Sequence, residues 1–447
     1  MKKSQLQKYA KLIARKGFNV QKGQDVRVRA CPDQLDFVRM VVEECYKAGA
    51  GKVTVEWEYN PVTKATYKYC KLDALSRTEK WEEEKYKHFV ETRPARIFIE
   101  SDDPDALKGV NQEKVAKAQQ ARAMAFKPYR DQLDNHYQWC IAAVPGVEWA
   151  KKVFPGDTKN KAVEKLWQAI LFTSRADGEN PVEAWNEHNK DIKERCDYLN
   201  SLKIKELKYK SSNGTDFRVG LIDGCNFLGG KEDTLEGIEY NPNIPSEEVF
   251  TSPMRGNADG KVVATRPLSY RGELIENFSV TFKDGKVVDV SAEKNEDLLR
   301  SMISMDEGAA YLGECALVPY DSPIRNSGIT FYNTLFDENA CCHLALGRGF
   351  NECLEGYANL SFDECKEKGI NDSLIHVDFM IGSEDLEIEA VTRDGKTVKI
   401  FEKGIGRFKS DAVCWTDRDV PAARCLPCGQ DKGTPFFRSQ WQNRSDI

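Results

Sequence analysis

Two of the five histidines in this 447-residue chain lie in apolar surroundings, and carboxylates accompany them. In SLIHVDFMIGS (373–383), Leu374, Ile375, Val377, Phe379, Met380 and Ile381 make the apolar run of a buried strand, with His376 and Asp378 inside it. Residues two apart on an extended chain share a face, so His376, Asp378 and Met380 project together, opposite Val377, Phe379 and Ile381. Alone, such a pair reads as a satisfied hydrogen bond of the core. Other segments add to it. LFDENACCHLALGRGF (335–350) reads as a helix with Asp337 at its N-cap, and helical spacing puts Asn339, His343, Leu346 and Phe350 on one face. Glu314 stands just ahead of the apolar run in YLGECALVPY (311–320), and NIPSEEVFTSP (243–253) offers Glu247 and Glu248. Each glutamate by itself reads as a surface group. Two imidazoles and three carboxylates are too many for one catalytic zinc, which takes three protein ligands and a water. They suit two divalent cations about 3.5–4 Å apart, a common hydrolase arrangement. Three clustered buried carboxylates would be too costly to keep ionised without such cations.

Strand and helix signals alternate through the first two hundred residues. Strands are expected at 25–30, 52–57, 95–100 and 137–145, with helices at 33–49, through the charged stretch to about 91, after the capping residues at 101, and at 160–173 and 181–201. That alternation implies an α/β N-terminal domain with a parallel sheet, residues 1–201. Beyond it, turn dipeptides at 213–214, 223–224, 259–260, 284–285 and 394–395 describe hairpins. Residues 202–408 are therefore expected to form a largely antiparallel α+β domain carrying the metal site, with helical insertions near 293–312, 337–349 and 361–369. Residues 409–447 read as an extension, flexible or non-native. Its Cys414, Cys425 and Cys428 make only half a zinc site.

A net charge of −6, with 40% hydrophobic and 30% charged residues, describes a globular protein without a basic field for nucleic acid or anionic lipid. The sequence holds no apolar run of membrane-spanning length and no signal-peptide core, so a cytoplasmic location is expected. Fourteen scattered cysteines then read as reduced thiols. KAGAGKV (47–53) follows a helix and precedes a strand, the reverse of a phosphate-binding loop, so its glycines read as helix caps. No dinucleotide fingerprint follows the first strand, and no G-x-S-x-G elbow occurs. Cys315, Cys341 and Cys342 read as packing groups, and His88, His136 and His188 as surface groups.

NIPSEEVFTSP, DEGAAYLGECALVP, TLFDENACCHLALG and NDSLIHVDFMIGS, in that order, resemble the metal-dependent aminopeptidases of the thermophile type, the aminopeptidase T and aminopeptidase S group. The resemblance runs from residue 1 to about 408. It implies Glu248, Glu314, His343, His376 and Asp378 as ligands of two divalent ions, zinc, cobalt or another. It further implies a homodimer that removes N-terminal residues from short peptides. The reaction expected of such a site is hydrolysis by a metal-bound hydroxide, with Glu314 or a neighbouring carboxylate as the catalytic proton acceptor. The family's tyrosine, seven residues after the first of these histidines, is Phe350 here. Loss of one such hydrogen-bond donor is worth about 10²–10³ in rate. The rival expectation is a non-catalytic or weakly active peptide-binding relative.

Overall fold

The computed structural model describes residues 1–101 and 103–408. The extension expected over 409–447, with its three cysteines, lies outside the described residues.

In the first half, strands Val26–Ala30, Val53–Trp57, Ala95–Glu100 and Trp139–Ala143 form an all-parallel sheet. Helices Leu35–Ala48, Lys159–Thr173 and Pro181–Ser201 match the expected spans closely. The first of them ends at Gly49, whose φ of +105° makes it the left-handed cap read from KAGAGKV. The long charged stretch divides into three helices, Asn60–Tyr69, Leu72–Ser76 and Lys80–Thr92.

The second half is antiparallel. A nine-stranded sheet includes Ile204–Lys210, Asp216–Leu221, Pro253–Val263, Glu273–Lys283, Lys286–Lys294 and Glu387–Thr392. The dipeptides at 213–214, 284–285 and 394–395 turn its hairpins, but the one at 259–260 does not. Asp259 and Gly260 continue the Pro253–Val263 strand, where a Cβ on Gly260 would sit 2.2 Å from the Asp216 carbonyl oxygen. Here glycine serves a close backbone approach between strands rather than a turn.

A separate four-stranded antiparallel sheet joins Val249–Thr251, Leu312–Leu317, His343–Gly347 and His376–Met380. The predicted helix over 335–350 is therefore overturned. Only Thr334–Asp337 is α-helical, a single 3₁₀ turn follows at Glu338–Ala340, and His343 opens a strand. Asp337 is not its cap; it closes the short helix and pairs with Arg266 at 2.9 Å. Leucine and alanine favour helix intrinsically, but neighbouring strands on both sides and burial on both faces decide this segment. One face of the sheet sends Val249, Cys315, Leu317, Leu344, Leu346 and Phe379 into the core of the second half. From the same half, Ile324, Phe331, Leu335, Phe336 and Ala340 join the core of the first, where Trp149 Nε1 donates to the Phe331 carbonyl at 2.6 Å.

Candidate metal centre

The register of the small sheet explains how residues distant in sequence meet. Directly paired residues on antiparallel strands share a face, as do residues two apart on one strand. Glu314 pairs with Ala345, and Ala345 with Asp378; His343 lies between Ala316 and Met380; Gly347 pairs with His376. Glu314, His343, His376 and Asp378 thus stand on one face. Glu248 is two residues from Phe250, which pairs with Ala316, and comes to the same face. Ala316, Ala345 and Gly347 occupy the positions between them, so small side chains leave the middle of this face open. Gly347 is also required locally: its φ is +109°, and a Cβ would meet the Ile375 carbonyl oxygen at 2.1 Å.

The five side chains form two triads with one shared member. Ligand atoms of Glu248, Glu314 and His343 lie within 4.8 Å of one another, and so do those of Glu314, His376 and Asp378. Glu248 Oε2 is 3.0 Å from His343 Nε2, and His376 Nε2 is 3.1 Å from Glu314 Oε2 and 3.2 Å from Asp378 Oδ1. The other ring nitrogens face backbone: His376 Nδ1 donates to the Arg348 carbonyl at 2.7 Å, and His343 Nδ1 faces that of Cys341 at 3.3 Å. This outer arrangement leaves both Nε2 atoms aimed into the site, where they could serve as ligands. Asp378 Oδ1 is buried, and its contact with His376 Nε2 at 3.2 Å lacks good hydrogen-bond geometry. A poorly satisfied buried carboxylate oxygen beside other carboxylates is what a divalent cation would complete. The donor set, imidazole nitrogen and carboxylate oxygen, suits zinc or a similar ion.

The electrostatics describe carboxylates crowded together. Burial, then Asp378 and Glu248, push Glu314 up to about 7 against its hydrogen bond from His376. Burial opposes ionisation of Asp378 as well, but the adjoining His376 outweighs it and holds this carboxyl at about 2. Burial disfavours the charged His343, yet Glu248 raises it to about 9.

One residue was missed by sequence reasoning. Glu338 is buried, and burial followed by Asp378, Glu248 and Glu314 raises it well above the usual carboxylate range. Its burial on a 3₁₀ turn has no periodic signature; the signal available was only an acidic residue inside DENACC. Glu247 and Glu248 separate cleanly. Glu248 faces His343, while Glu247 turns away and accepts two hydrogen bonds from Arg175, that from Nη2 at 2.9 Å. The backbone between them is held from three sides: His188 Nε2 donates to the Ser246 carbonyl at 2.6 Å, Arg195 to that of Glu247 at 3.4 Å, and the Glu247 amide to Asn339 Oδ1 at 2.6 Å.

His188 is accordingly no surface group. It is buried on the Pro181–Ser201 helix, edge-to-face with Trp185 at 5.5 Å. Polar neighbours in sequence misled because a helix places residues one apart on different faces. His88 is exposed, and His136 is half-buried beside Glu236. Cys315, Cys341 and Cys342 are buried, as packing groups should be. Phe350 does reach the site, though not by the helical route: it follows the His343–Gly347 strand, its amide donates to Ser252 Oγ at 2.7 Å, and its ring lies 4.9 Å from that of His376 and 5.0 Å from Phe250.

Such a cluster, on one face of a sheet in a two-part α/β and antiparallel fold, is that of a metal-dependent hydrolase. Residues 2–405 match the model of the family described as Thermophilic metalloprotease (M29), and the chain belongs to that family. It is 42% identical to aminopeptidase AmpS of Bacillus subtilis (strain 168) over 404 residues, 90% of this chain and 98% of the relative. Aminopeptidase T of Thermus thermophilus is 40% identical over 403 residues, 90% of this chain and 98% of that one. The solved structure of wild-type AmpT from Thermus thermophilus superposes with a TM-score of 0.81 at 38% identity, covering 90% of this chain and 98% of the other.

Proposed function

We propose that the chain is a two-metal aminopeptidase that hydrolyses the N-terminal peptide bond of short peptides. The observation that carries this reading is the pair of ligand triads sharing Glu314 on one sheet face. Glu248 and His343 would hold one ion, His376 and Asp378 the other, and Glu314 both. Bound there, divalent ions supply a hydroxide near neutral pH and polarise the scissile carbonyl.

The chain's own groups do the rest. The Arg348 carbonyl fixes the His376 ring with Nε2 toward the site. Glu314 or the neighbouring Glu338, the fourth buried carboxylate, accepts a proton from the attacking water and returns it to the leaving amine. Family membership and the names of the relatives favour turnover over a non-catalytic peptide binder. The proposal extends to zinc or cobalt as the ions, to residues 202–408 as the metallopeptidase domain beside 1–201, and to a cytoplasmic homodimer.

Cleavage of aminoacyl-p-nitroanilides and dipeptides is the test. Activity should vanish with a chelator, return with added cobalt or zinc, and be absent from Glu314→Gln. Turnover that survives chelation, or that Glu314→Gln leaves unchanged, overturns the reading.

A further inference from the structure

Away from the ligand face, Cys225 and Cys353 come together from positions 128 apart in sequence. Cys225 forms a β-bridge with Leu354, and the amide of Asn226 donates to the Cys353 carbonyl at 2.7 Å. Cys353 is the chain neighbour of Leu354, so this pairing sets the segments carrying the two cysteines side by side. Their thiols are within hydrogen-bonding reach of each other. Both belong to one cluster with Phe250, Leu228 and Phe350.

The two sulfurs differ in environment. Cys353 is fully buried, whereas Cys225 is half-buried and lines a cavity of about 200 Å³ with Asp223, Asn226, Glu355 and Arg393. The Thr251 hydroxyl lies 3.4 Å from Cys225 Sγ, which itself lies 3.5 Å from the Ser252 carbonyl. One thiol is thus reachable from solvent and supported by a donor, and the second waits behind it. That is the arrangement of an attacking and a resolving cysteine.

We propose that Cys225 and Cys353 are a peroxide-sensitive modification site that closes to a disulfide. The Cys225 thiolate attacks hydrogen peroxide, breaking the O–O bond, and with one proton gives Cys225 sulfenic acid and water. The Cys353 thiol then attacks that sulfur, forming the S–S bond and releasing a second water. Two thiols are oxidised and one peroxide is reduced. The Cys353 thiol, then Thr251 and Ser252, hold the Cys225 thiol below its ordinary range, while burial pushes Cys353 well above. This assigns the nucleophilic role to Cys225. The bond would tie the Cys225 segment to the Asn351–Cys353 turn directly after Phe350. The inference does not depend on the peptidase reading.

The full-length reduced chain, exposed to hydrogen peroxide, alkylated and mapped by mass spectrometry, tests it. Cys70 is the built-in control, being the other half-buried thiol among the described residues. A linked Cys225–Cys353 peptide should form ahead of any product at Cys70 and be reversed by dithiothreitol. In Cys353→Ala the product should instead be a dimedone adduct at Cys225. Recovery of both cysteines alkylated when Cys70 has reacted, or a sulfenic acid on Cys353 before Cys225, overturns the proposal, and both are read on the unmutated chain.

Discussion

Arg175→Met should destabilise the protein through Glu247, the residue next to the proposed ligand Glu248. Arg175 makes two hydrogen bonds to Glu247, whose side chain is only 4% exposed. Removing one partner of a buried ion pair costs about 3–5 kcal/mol, because the remaining charge is left uncompensated. The lower end applies here. The Arg175 side chain keeps 24% exposure, so water can follow into the space, and Arg195 and His188 stay beside Glu247. At about 2–4 °C per kcal/mol for a unit of 150–250 residues, a loss of about 3 kcal/mol lowers the melting temperature by about 6–12 °C. In the double variant Arg175→Met with Glu247→Gln the uncompensated carboxylate is gone, and at least half of that loss should return. Calorimetry of the wild type, both single variants and the double variant closes the cycle. A single Arg175→Met variant that melts with the wild type refutes the reasoning, as does a double variant that melts no higher than the single.

Two further outcomes are expected. Phe350→Tyr puts a hydroxyl back on a ring already 4.9 Å from His376, and should raise kcat by up to about 10²–10³ with little change in KM; a kcat that does not rise would show that the phenol has no place in this site. His188 is held at about 3 by burial first and Arg175 second. An unfolded histidine titrates near 6.5, so only the unfolded chain takes up this proton as pH falls from 6.5 towards 3. Stability from this group is full above about pH 6.5, and about 2 kcal/mol of it is gone at pH 5. His188→Gln keeps a donor for the Ser246 carbonyl and should melt with a weaker pH dependence between 7.5 and 5; an identical dependence in both proteins would contradict the assignment.

The legible parts of this protein were those where local pattern and tertiary context agree. Alternating strand and helix signals gave the parallel sheet, and the period of two in HVDFM gave the shared face of His376 and Asp378 correctly. HLALG failed because its two leucines and its alanine satisfy a helical pattern as well as an extended one, and only pairing with Leu312–Leu317 and His376–Met380 chooses between them. His343 and Phe350 still come beside the other candidate residues, His343 on the strand and Phe350 on the segment that follows it. His188 and Glu338 were illegible for a different reason. Each is buried by segments far away in sequence, and a charged or polar neighbourhood along the chain says nothing about that.

Counting bound ions per chain tests the central claim most directly. Elemental analysis of the metal-loaded wild type should give two, Glu248→Gln and Asp378→Asn should each retain one, and Glu314→Gln should retain fewer than either. A single ion in the wild type, or a Glu314→Gln chain that still holds two, would contradict a pair of sites joined through that carboxylate.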